Sequence, residues 1–137
     1  MSFDLTRFTS AQAGVYDQAL AELRAGAKRG HWMWFVFPQI AGLGSSPTAQ
    51  HYAIASLDEA RAYVDDPVLG PRLIDCAAAL LTVEGRSAQQ ILGYPDDLKL
   101  RSSMTLFARA APEIEVFQQV LDRYYDGQPD PQTLHKI

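Results

Sequence analysis

The sequence predicts a single all-α domain of about six or seven short helices, and three observations carry that expectation. Helix-start signals recur at short intervals, and apolar residues repeat at i, i+3, i+4 and i+7. Nowhere is there alternation over a strand length, nor an Asn-Gly or Asp-Gly pair between β-rich runs; Asp126-Gly127 follows a helical stripe instead. The chain has 137 residues, 47% hydrophobic and 20% charged, with no repeat or low-complexity tract. That is one globular domain over 1-137, long enough to bury roughly two-thirds of its unfolded surface without metal or disulfide support.

Each element has its own warrant. Thr9 or Ser10 caps a first helix over about 10 to 26, with Tyr16, Ala19, Leu20 and Leu23 inward and Gly26 at its end. His31-Trp-Met-Trp-Phe-Val-Phe-Pro38 has the composition of a buried strand, but a lone strand would leave its backbone groups unpaired. A short buried helix stopped before Pro38 is therefore expected. Ser46-Pro47 starts a helix carrying His51, Tyr52 and Ile54, and Ser56-Leu-Asp-Glu59 is a capping box that turns Leu57, Ala60 and Val64 inward, with Tyr63 alongside. Asp66-Pro67 opens the central helix, 67 to 84, on the stripe Leu69, Leu73, Ile74, Ala77, Leu80 and Leu81. A second box, Ser87 to Gln90, begins a short helix that Tyr94-Pro95 stops. Asp96 or Asp97 starts the next, with Leu98, Met104, Leu106 and Phe107 on its core side. Pro112 opens a helix through Phe117, Leu121 and Tyr124 that Gly127 closes, and Asp130-Pro131 begins a last turn.

Charge and cysteine content exclude several functions. Twelve Lys and Arg against sixteen Asp and Glu give a formal charge of -4, which disfavours a broad nucleic-acid-binding face. The first residues lack an apolar leader core, and no stretch approaches the ~18 apolar residues of a membrane span, so a soluble cytoplasmic protein is expected. His31, His51, His135 and Cys76 have no zinc-site spacing, and no metal or other cofactor is expected. Cys76 reads as a small core residue. Nothing in the pattern names a protein partner.

Polar groups concentrate in three places. Lys28, His31, Trp32, Trp34 and Gln39 combine a cation, an imidazole, indole faces and an amide, a set suited to a planar heteroaromatic ligand, although the same tryptophans also read as plain core. Gly42-Leu-Gly44-Ser-Ser46 leads into a helix start where free N–H groups can receive an anion, without matching either phosphate-loop pattern. Lys99, Ser102 and Ser103 share a helix face that can complete a phosphate or sugar pocket. His31, Asp96 and Asp97 are the candidate acid-base groups.

Lys28-Arg-Gly-His-Trp-Met-Trp-Phe-Val-Phe-Pro-Gln39, with Gly42-Leu-Gly44, Ser46, the 56 to 60 box, Leu69-Gly-Pro-Arg-Leu73, Asp97-Leu-Lys99 and Ser102 to Phe107, resembles domain of unknown function family 1810 over nearly the whole chain. The resemblance implies a small helical bacterial protein without an established activity. The label calpastatin that some such proteins carry does not fit, because true calpastatin segments are disordered and this composition is that of a packed domain. Lys99, Ser103-Met104, Phe117, Leu121 and Gly127 are similar to the closing part of the NADAR proteins, which implies NAD or ADP-ribose chemistry. Two functions are carried forward. One is binding of an anionic, nucleotide-like small molecule, with hydrolysis of an N-glycosidic bond as the reaction. The other is a noncatalytic helical protein-protein interaction module.

Overall fold

The computed structural model describes residues 3–137, and among them there are ten helices and no strand. Six helices reach seven residues, which accounts for the expected number; the other four have four to six residues. The first expected helix is two. Asp4 Oδ1 accepts from the Thr6 amide at 3.0 Å and so starts α1 (Thr6–Gln12) before Thr9 or Ser10. Gly14, at φ 76°, then breaks the chain ahead of α2 (Tyr16–Ala25), which Gly26 closes. The aromatic run forms α3 (Met33–Val36) as expected.

Ser46 caps α4 (Pro47–His51), but the helix is too short to include Ile54. Ile54 instead forms an isolated parallel bridge with Ile40: its amide donates to Gln39 O at 2.8 Å and its carbonyl accepts from Ala41. The bridge satisfies a buried backbone stretch that neither partner could satisfy locally. Ser56 Oγ caps α5 (Leu57–Asp65) through the Glu59 amide, while the buried Glu59 carboxylate turns to the Ala55 amide and Arg7 rather than closing the box.

The central helix, α6 (Leu69–Leu81), is shorter than 67 to 84 because Asp66 Oδ2 takes the amides of Val68 and Leu69 and leaves Pro67 outside. It packs against α2, α5 and α9. Leu69, Leu73, Cys76, Ala77 and Leu80 are buried on its stripe; Ile74 and Leu81 are half-buried at its edge. Burial in this apolar setting pushes the Cys76 thiol up to about 12. Gly70 lies so close to the end of α5 that a Cβ there would stand 2.0 Å from the Val64 carbonyl oxygen.

A complete capping box starts α7 (Ala88–Leu92). The longest helix, α8 (Asp96–Ala110), lies against α5, α7, α9 and α10. Met104, Leu106 and Phe107 are buried on it, but Leu98, expected inside, is 49% exposed because it belongs to the first turn and faces a cleft. Pro112 does not open the next helix: α9 (Val116–Tyr125) starts four residues later and carries Phe117, Val120 and Leu121 into the core. Asp130 caps α10 (Pro131–Lys136).

Candidate functional site

Three chain segments meet at the N-terminal end of α8. Asp96 Oδ2 lies 2.9 Å from Lys28 Nζ and Asp96 Oδ1 lies 3.5 Å from Lys99 Nζ, so one carboxylate ties two ammonium groups from distant parts of the chain. Each ammonium also addresses an indole. Lys28 Nζ is 5.1 Å from the Trp32 ring centroid and Lys99 Nζ is 4.5 Å from that of Trp34, both within cation–π range. Lys28 also donates to Gly30 O at 2.6 Å.

The segment that brings Lys28 and Trp34 here is pinned from α2. Glu22 Oε1 accepts from the Arg29 amide at 2.8 Å, the Gly30 amide at 2.9 Å and Trp32 Nε1 at 2.9 Å, and Oε2 accepts from Gln18. Burial alone would raise this carboxyl, but the four donors outweigh it and hold the group at about 2. Nothing in the sequence pattern singles out Glu22.

Two clefts adjoin at Gln39. One, about 120 Å³, is lined by Trp34, Gln39, Gly42, Gly44, Gln50 and Tyr52. The other, about 260 Å³, is lined by Gln39, Leu98, Lys99, Arg101, Ser102 and Asp130. Neither alone reaches the ~300 Å³ of an ordinary ligand pocket, but they share a wall. Trp34, Gln39, Gly42, Gly44, Lys99 and Ser102, which the sequence suggests as ligand-binding, therefore assemble around one region, and Lys28, which lines neither cleft, is joined to them through Asp96.

Four other candidates do not join them. His31 is exposed and lines neither cleft. Trp32 is 1% exposed and faces the core, with its N–H spent on Glu22. Ser46 is exposed and its hydroxyl caps α4. Asp97 lies on a different face of α8 from Asp96: its Oδ1 is buried without a partner, its backbone oxygen accepts from the Tyr125 hydroxyl, and it lines neither cleft.

Sequence reasoning missed Asp130 and Gln132. Asp130 Oδ2 takes the Ser102 hydroxyl at 3.1 Å and the Thr133 hydroxyl at 2.6 Å, joining the cleft to α10. The cap signal of Asp130-Pro131 was the one trace of it. Among the described residues no group of three or more His, Cys, Asp or Glu could hold a metal, and no helix is long and apolar enough to cross a membrane.

A model of the family described as "Protein of unknown function (DUF1810)" matches residues 2–137. Among solved structures, the crystal structure at 1.38 Å of the conserved hypothetical protein Rv1873 from Mycobacterium tuberculosis is similar, with a TM-score of 0.95 and 57% identity. The alignment covers 97% of this chain and 95% of that chain. No curated protein matches.

Proposed function

Since the chain belongs to the DUF1810 family, whose description names no reaction, the site must speak for itself, and we propose that it binds an anionic, nucleotide-like small molecule. The carrying observation is Lys99, which reaches Trp34 at 4.5 Å while sharing Asp96 with Lys28 at the junction of two clefts. Two ammonium groups on one carboxylate leave a net positive charge beside an indole, the combination an aromatic ring bearing a phosphate requires. Gln39, common to both clefts, supplies a donor and an acceptor for a base edge.

The reaction consistent with this site is hydrolysis of an N-glycosidic bond in a nucleotide derivative of ADP-ribose type. The C1′–N bond breaks with its electron pair passing to the base nitrogen, and water adds its oxygen to C1′. In this scheme Asp96, held behind the Lys99 cleft by its ion pairs with Lys28 and Lys99, offsets the positive charge developing at the sugar and takes the water's proton. His31 and Asp97, away from the clefts, have no part in this scheme.

The test is binding of ADP-ribose, NAD and AMP by calorimetry to the wild type and to Lys99→Ala, with melting curves to confirm folding. A phosphate hydrogen-bonded to Lys99 contributes ~1.5–3 kcal/mol, so the variant is expected to lose roughly ten- to a hundredfold in affinity. No binding by the wild type, or equal affinity in the two proteins, would refute the proposal.

A second reading, a noncatalytic protein-protein interaction module, draws on two exposed apolar residues around the start of α8, Tyr94 at 73% and Leu98 at 49%, the latter lining the Lys99 cleft. It predicts that Tyr94→Ser abolishes capture of a protein partner while Lys99→Ala leaves it unchanged.

A further inference from the structure

Resting on the nucleotide-like reading above, we infer a second anion subsite, formed by Lys136 of α10 and the backbone amides around Gly42, that takes a phosphate group of the ligand remote from the Trp34–Lys99 end. A cleft of about 450 Å³ is lined by Gly42, Pro131, Gln132, His135 and Lys136. It continues the site in two directions: Gly42 also lines the Trp34 cleft, and Gln132 also lines the Lys99–Ser102 cleft.

Cations in a last helical turn suit the helix dipole wherever they point. The dipole does not explain where Lys136 lies. Its side chain runs along Gly42 so closely that a Cβ there would stand 3.2 Å from Nζ and 3.3 Å from Cδ and Cε. Gly42, at φ 96°, both permits the turn and leaves room for the lysine stem. The ammonium thus stands at the Gly42 end of this cleft.

Lys136 forms no ion pair among the described residues. The amide of the adjoining Gly42, like that of Gly44 two residues on, finds no acceptor among the described residues, whereas the preceding residue is fixed by the Ala41 amide on Ile54 O at 2.8 Å. An unpaired loop amide at the same cleft as an unpaired ammonium makes that cleft positive, and free loop amides are a recurrent phosphate-binding device. In a chain of net charge -4, the linings of the three clefts gather Lys99, Arg101 and Lys136 against only Asp130. Two separated anion positions on either side of the 39–44 loop fit a ligand with phosphates remote from its base, such as a diphosphate-bridged nucleotide, better than a nucleoside.

Titrating isotope-labelled protein with inorganic phosphate tests this directly by nuclear magnetic resonance. Saturable shifts of the Gly42 and Gly44 amides are expected, weakened tenfold or more in Lys136→Gln and retained in Lys99→Ala; Lys136 is exposed, so its replacement leaves the fold intact. Gly42→Ala, which displaces the Lys136 stem, serves as a second variant with the same expected loss. Phosphate that fails to move these amides, or binds equally in Lys136→Gln, overturns the subsite. ADP-ribose separates the two claims. If it binds the wild type and Lys136→Gln equally but not Lys99→Ala, the subsite falls and the Trp34–Lys99 reading stands. If ADP-ribose binds neither protein while phosphate still requires Lys136, the subsite stands and the other reading falls.

Discussion

Four hydrogen bonds converge on the Glu22 carboxylate, and they make this side chain the fastener of the aromatic segment. Its carboxyl is held near 2 against an ordinary 4.5, so it stabilises the folded protein fully above about pH 4.5. That stabilisation is lost as the pH falls through 4.5 towards 2, because protonation removes the acceptor charge. Glu22→Gln, which keeps one carbonyl acceptor but no charge, is expected to lower stability by about 1–3 kcal/mol at pH 7 and to flatten the acid limb of a plot of Tm against pH. An unchanged acid limb would show that the carboxylate does not hold the segment. Local pattern made Lys99 and Ser102 legible, since their spacing on one helix face is visible in the letters alone. It could not reveal Glu22, a polar residue on an amphipathic helix whose partners come from a loop seven to ten residues on. Trp32 shows the converse limit: composition identified an indole with a polar neighbour, but only tertiary packing decides that this one faces Glu22 and the core while Trp34 faces the cleft.

Helix starts were the most readable elements because a cap is a local event: Ser46, Ser56, Ser87 and Asp130 each accept from the amide three residues on. Breaks were less so. Gly14 looks in sequence like a glycine tolerated inside a helix, but its positive φ redirects the chain between α1, which packs on α3, and α2, which packs on α6. The Ile40–Ile54 bridge was invisible for the same reason, being a pairing of two residues fourteen apart with no strand on either side. Gly70 offers a sharp test of element packing. Helix propensity favours alanine over glycine by about 1 kcal/mol, so a free helix would gain from Gly70→Ala. The contact with the α5 carbonyl predicts the opposite sign, a loss of about 3 kcal/mol or more in urea denaturation, since two backbone segments must separate. A neutral or stabilising result would mean that α5 and α6 are not in that contact.

On the scale of the whole molecule the core is continuous, with α6 at its centre and Leu80 fully buried. Leu80→Ala is expected to destabilise by ~2–5 kcal/mol, measured by chemical denaturation, a large part of the 5–15 kcal/mol that a domain of this kind possesses. A loss below about 1 kcal/mol would show that the stripe is peripheral. Cys76, the sole thiol, lies on that same stripe with no exposure and a pKa pushed up to about 12. The native protein is therefore silent toward thiol reagents, whereas the unfolded chain, with an ordinary thiol near 8.5, reacts readily. This gives the molecule an intrinsic stopwatch for its own opening. Labelling of Cys76 in native buffer should track the population of globally unfolded chains when reclosing outpaces the chemistry. Leu80→Ala, if it is weakened by about 3 kcal/mol, should then react about a hundredfold faster than the wild type, with no engineered tag or denaturant needed to see the difference.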